Sequence, residues 1–243
     1  MAHISRHELK EDQLRSTYEE FEEYFKTHYR EFATVAGIVV VVAGLAGGFK
    51  YYQDRREAEA NEALGAALRT FRAYVGSIPQ GSPLPGGIQS FATAREKYKK
   101  AEDQFLDVIQ KYSQPPQPKA VAVARYHVGL CQAYLGGQTA ALKTLRESAG
   151  ESDREIASLA RYALAGELVK AGKTDEAVRI YQELAARPTT AVPETTAKLA
   201  LADAYRVAQP DKARLVYQEL EKRFSSDTAI AQVLKDQMAS LPK

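Results

Sequence analysis

The sequence predicts an all-α protein, with a single N-terminal transmembrane helix and a solenoid of paired helices beyond it. Two observations predict it. The 18 residues between Glu31 and Lys50, FATVAGIVVVVAGLAGGF, carry no charge. From residue 124 onward, similar segments return after 36 and then 37 residues. The resulting division is an amphipathic tail over 1–31, a membrane helix over 32–52 and a helical-repeat domain over 53–243.

The span comes first. Eighteen residues make about 27 Å of helix, close to the roughly 30 Å of a bilayer core. Tyr29 and Phe32 on one side and Phe49, Tyr51 and Tyr52 on the other stand where an interfacial aromatic belt would lie. A buried core helix rarely runs so far without a polar face. A cleaved signal peptide would have a short basic leader, whereas here 31 residues precede the run, among them Glu8, Glu11, Asp12, Glu19, Glu20, Glu22 and Glu23. The expectation is an uncleaved signal anchor, and no cysteine near the N-terminus is placed to take a lipid. Charge does not orient it: Lys26 and Arg30 stand before the span and Lys50, Arg55 and Arg56 after it. Gly44 and Gly48 form a GxxxG pair, a spacing frequent by chance in Gly-rich spans, which would let two such helices approach closely in a homodimer.

In the tail, Leu14, Tyr18, Phe21, Phe25 and Tyr29 recur at spacings of four, three, four and four. They form an apolar stripe opposite Glu19, Glu20, Glu22, Glu23 and Lys26. Such a helix can lie among headgroups, pack on a partner, or simply prolong the membrane helix into water.

Residues 54–76 contain good helix formers and no breaker before Gly76 and Pro79, so they read as one helix. The stretch IPQGSPLPGG (78–87) holds three prolines and three glycines and reads as a loop. A second helix is expected over 92–112, stopping before Pro115, Pro116 and Pro118. Then the period begins. ARYHVGLCQAYLGGQTAALKTL starts at Ala124, ARYALAGELVKAGKTDEAVRIY at Ala160 and AKLALADAYRVAQPDKARLVY at Ala197. In the second helix of each unit, Ala141, Ala177 and Ala213 are 36 apart, as are Leu145, Tyr181 and Tyr217. Repetition at this length, with a tight turn inside each unit, marks stacked helix pairs. Residues 92–112 and 226–241 read as a partial unit and a terminal cap.

The pattern resembles the tetratricopeptide repeat: Leu164, Ala165, Leu168, Gly172, Ala177, Tyr181, Leu184 and Pro188 fall at that motif's spacing. Small residues have a mechanical role, because two helices cross closely only where a methyl replaces a longer chain, at Ala165 and Ala177. Gly136 and Gly172 are placed to end first helices in the left-handed conformation. Gln132 in the first unit and Pro210 in the third depart from the motif.

No catalytic or metal constellation stands out. His127 and Cys131, four apart on one helix, read as core residues, and His3, His7 and His28 lack ligand spacing. The run GLAGGFKY (44–51) lacks the spacing and the Ser or Thr of a phosphate loop. A formal net charge of +2 points to no nucleic-acid partner, and the lone Cys131 leaves no internal disulfide. No cofactor is expected and no enzyme is predicted.

Stacked pairs present a concave face built from their first helices, and such faces bind proteins. In this register Tyr126, Leu130, Tyr162, Val169, Lys170, Leu199, Asp203 and Arg206 are the candidate groove residues. A short acidic tail, one span near residue 40 and a long helix leading into degenerate repeats resemble the YfgM-like family of bacterial inner-membrane proteins. The opening ISRHELKEDQL is similar to the tails of membrane-anchored tetratricopeptide proteins. That resemblance implies a bacterial inner-membrane protein with its repeats in the periplasm. It also implies partners among translocon subunits of the Sec system, a membrane-bound periplasmic chaperone and exported client proteins. A scaffold for envelope assembly or division, or a solenoid facing the cytoplasm, would have the same architecture.

Overall fold

The structure, a computed structural model, describes residues 6–76 and 89–242, with side chains described for Tyr24 and from Lys26 onward. The expected 78–87 loop lies outside the described residues, as do the side chains of Leu14, Tyr18, Phe21 and Phe25 of the tail stripe. Among the described residues the protein is almost wholly helical. Its helices are α1 (Arg6–Phe71), α2 (Ala94–Tyr112), α3 (Lys119–Tyr134), α4 (Gln138–Ser148), α5 (Arg154–Lys170), α6 (Thr174–Ala186), α7 (Glu194–Tyr205), α8 (Pro210–Arg223) and α9 (Thr228–Ala239). The chain divides into two units, residues 1–55 and 56–243.

In the first unit, α1 contains a helix long and apolar enough to cross a membrane, with a mean hydropathy of 2.2 in its most apolar window and none of that window buried. Val35, Ile38, Val39, Val40, Val41, Val42 and Leu45 are all exposed. A helix this oily with no protein around it is at odds with water and suited to lipid. Just before it, the helix is interrupted at His28 (φ −111°, ψ 15°), where Nδ1 lies 3.1 Å from the Tyr24 carbonyl oxygen and the two rings stack at 4.4 Å. Tyr29, Phe49, Tyr51 and Tyr52 are exposed, as an aromatic belt requires.

In the second unit each helix packs mainly on its neighbours in sequence, α2 on α3 through to α8 on α9, and α5 also touches both α3 and α7. Local chemistry sets the boundaries. Thr93, Asp153 and Asp227 cap α2, α5 and α9 by accepting hydrogen bonds from Glu96, from Glu155 and Ile156, and from Ala229 and Ile230. Pro118 and Pro193 precede α3 and α7, and Pro210 opens α8, where its missing N–H leaves no bond unmade. Gly136 (φ 82°) and Gly172 (φ 75°) sit in the left-handed region after α3 and α5. Beyond them, the amides of Gly137 and Lys173 reach back to the carbonyls of Gln132 and Leu168 at 2.9 and 2.8 Å, closing both helix ends.

The helix expected over 54–76 stops at Phe71. Tyr74 and Val75 instead pair in parallel with Ser90 and Phe91, forming strands β1 (Tyr74–Val75) and β2 (Ser90–Phe91). Tyr and Val favour extended backbone, and the Tyr74 amide donates to the Gln89 carbonyl at 3.1 Å.

The core has two adjoining parts. Ala60, Leu64 and Ala67 of α1 pack with Phe105, Val108, Val121, Val128 and Cys131. Farther along, Leu145, Leu164, Leu168, Tyr181, Leu201, Tyr217, Leu220 and Leu234 form a larger cluster. The repeated small residues lie at the crossings: Ala124, Ala160 and Ala197 are fully buried, as are Ala141, Ala177 and Ala213.

Candidate protein-binding face on the first helices

α3, α5 and α7 are the first helices of the three units and touch one another in series, so their shared face is one continuous surface. The eight candidate residues lie on these helices or, for Arg206, at the end of α7, and five of them recur at fixed places. Tyr126, Tyr162 and Leu199 are each two residues beyond the conserved-spacing alanines Ala124, Ala160 and Ala197, and Leu130 and Asp203 are each six beyond theirs.

Tyr126 and Tyr162 are half-buried against the larger core cluster, and Leu199 is exposed. Tyr162 meets the ring of Tyr181 edge-on, with centroids 5.6 Å apart. Burial raises the phenol pKa of Tyr162, and the charge of Asp203 raises it further. Asp203 itself accepts a 2.7 Å hydrogen bond from the hydroxyl of Tyr217 on α8. Burial, followed by that bond to Asp203, holds Tyr217 protonated well above its usual range. An acidic oxygen is thus fixed at the face by a core tyrosine.

Val169 is half-buried against the core, while Lys170 is exposed and ion-paired to Glu167, one turn back, at 2.7 Å. Leu130 is half-buried. Arg206 is committed elsewhere: its guanidinium donates to Gln237 Oε1 at 3.2 Å and Ser240 Oγ at 2.7 Å, at the end of α9. The terminal helix therefore takes up Arg206, closing that end of the face.

Sequence reasoning missed Tyr134, which continues the Tyr126 and Leu130 spacing by one more turn of α3. It is exposed, and its ring stacks on Tyr98 of α2 at 4.2 Å, nearly parallel. Behind that pair, Phe71 meets His127 edge-on at 5.2 Å and Phe105 stacks on His127 at 5.0 Å. α3 and α5 thus carry the exposed or half-buried rings of Tyr134, Tyr126 and Tyr162, with Tyr98 of α2 stacked on Tyr134, and α7 carries Asp203. Rigid aromatic area beside a few placed charges is the composition of protein-binding hot spots.

His127 and Cys131 lie inside this packing. His127 Nδ1 is 2.9 Å from the Val123 carbonyl oxygen, and burial lowers its pKa. Burial pushes the fully enclosed Cys131 thiol up to about 12, so it is neutral and unreactive in the fold. Among the described residues, no three His, Cys, Asp or Glu side chains stand together as a metal site.

In the first unit, a Cβ placed on Gly44 or Gly48 would meet nothing within 4 Å, so both glycines are open to a neighbouring helix. Compared with known proteins, the chain matches no family model and no curated protein.

Proposed function

We propose that the protein is a membrane-anchored adaptor whose helical domain, a tetratricopeptide-like solenoid, binds other proteins along the face of α3, α5 and α7. The observation that carries this reading is the set of tyrosine rings on α3 and α5 with Asp203 held on α7, on the same chain as an exposed apolar helix long enough to span a bilayer. Support for the solenoid is the serial packing of helix pairs and the burial of the alanines that recur every 36 or 37 residues. In the fuller reading, the helical domain lies in the bacterial periplasm and serves the Sec translocon, a membrane-bound chaperone and exported clients. Its basis is the architecture of tail, span and degenerate repeats. Gly44 and Gly48 pair two copies within the membrane.

The test is photo-crosslinking in intact membranes from positions 162 and 199, beside a C-terminal alkaline phosphatase fusion. Active phosphatase and adducts to translocon or chaperone subunits are the expected results. Inactive phosphatase would refute the periplasmic placement. Adducts to envelope-assembly proteins alone would favour the scaffold reading. Extraction of the full chain by carbonate would refute the anchor.

A further inference from the structure

The geometry points to a second binding site: we propose that the cleft between the α4–α5 turn and the end of α6 grips an acidic peptide segment through two carboxylates three residues apart. It shares no residue with the face of α3, α5 and α7 and does not depend on that reading.

The cleft has a volume of about 790 Å³, within the range that holds small ligands or a short stretch of chain. Buried Ala157, Ser158 and Leu184 lie deepest, and the Ser158 hydroxyl is already satisfied by Thr189 Oγ1 and the Glu155 carbonyl, both at 2.8 Å. Three guanidiniums, those of Arg154, Arg161 and Arg187, line the opening. Arg154 donates to the Pro188 carbonyl at 3.2 Å and Arg161 to the Ala149 carbonyl at 3.3 Å. Each such bond uses one of five N–H donors, steadying the group while leaving the rest free to bind.

The balance of charge favours an anion. Of the two acids in the lining, Glu151 is paired to Arg125, which leaves Glu183 alone against three arginines. The carbonyl-rich ends of α4 and α6, which would otherwise attract a cation, are the ends that Arg161 and Arg154 cover.

Spacing selects the ligand. Arg154 and Arg161 are seven residues apart, about 10.5 Å along the helix. A polyproline II segment has three residues per turn and rises about 3.1 Å per residue, so acids at i and i+3 share one face about 9 Å apart and can meet one arginine each. Arginine suits this role because its fork matches a carboxylate with two parallel hydrogen bonds.

The experiment uses full-length protein in detergent micelles and a fluorescein-labelled peptide, GSEGSEGS, with GSQGSQGS as control, read by fluorescence anisotropy. The acidic peptide should bind about tenfold or more tightly than the control, and more weakly as salt rises. R154Q/R161Q should abolish that preference. R187Q, whose side chain has no partner among the described residues, should weaken it with the helical circular dichroism unchanged. Equal binding of the two peptides, no binding of either, or full displacement by inorganic phosphate at matched concentration would overturn the assignment.

Discussion

Gly129 is where the first unit tests the crossing rule most sharply. It occupies the place in α3 that Ala165 and Ala202 hold in α5 and α7, five residues into each aligned segment. A Cβ added at Gly129 would lie 2.8 Å from both Cγ and Cδ2 of Leu145 and 3.4 Å from its backbone nitrogen. Leu145 is fully buried, and the clash involves its branch point as well as its tip, so a rotamer change alone does not relieve it. Gly129→Ala gains about 1 kcal/mol of helix propensity. Overpacking of this kind takes away about 1–3 kcal/mol. The net loss is about 1 kcal/mol, which lowers Tm by about 2–4 °C in a domain of this size. Gly166→Ala is the internal control, because its Cβ would meet only Tyr181 Oη at 3.6 Å, an ordinary contact. There the propensity gain stands alone, and Tm should rise by about 2–4 °C. The assay is thermal unfolding of the detergent-solubilised full chain, followed by circular dichroism at 222 nm. If G129A were stabilised as much as G166A, the close approach of α3 to α4 would be wrong.

Two further outcomes follow from ionisation. Cys131 should resist a disulfide-exchange reagent such as DTNB at pH 8 in the folded protein and react at once in guanidinium. Its folded pKa is raised from an ordinary 9.0 to about 12, so the stability it confers is complete below pH 9 and declines as pH rises towards 12; rapid labelling of the folded chain would contradict the buried placement. Glu194 accepts from Lys198 at 2.7 Å and Arg223 at 2.8 Å, and these bonds lower its pKa from 4.5 to about 2. Stability from this group is present above pH 4.5 and is lost as pH falls towards 2, so Glu194→Gln should flatten the acid limb of an unfolding profile, and an unchanged limb would count against the network.

The helical class and the apolar helix were legible because both depend on periods and runs that a single sequence displays. The turn glycines were legible for a related reason: Gly136 and Gly172 stand at a fixed offset in each unit, and a left-handed residue after a helix is preferentially glycine. The end of α1 was not legible. The residues after Phe71 are compatible with helix, and only pairing with a segment 16 residues away draws Tyr74 and Val75 into extended backbone. The candidate face was partly legible. Tyr126 and Tyr162 could be read from register, whereas the capture of Arg206 by α9 depends on how the last helix folds back, which no local spacing encodes. Tyr134 could have been found from its i+4 relation to Leu130. The arginine-lined cleft could not, because Arg154 reaches the Pro188 carbonyl only through packing of α5 on α6.

Why should a chain with so weak a repeat signal keep its phase so well? The positions that stay in step are those that set distances between backbones. Ala124, Ala160 and Ala197, with Ala141, Ala177 and Ala213, are all fully buried, and each leaves no room for a larger side chain at a crossing. The positions that drift are less enclosed: half-buried Tyr126 and Tyr162 give way to exposed Leu199, and exposed Tyr134 to exposed Lys170 and Val207. Exposed substitutions usually change stability by less than about 0.5 kcal/mol, so drift at Tyr134, Lys170 and Val207 leaves the helices that carry them in place. The repeat is therefore regular where it holds the stack and varied where it meets solvent.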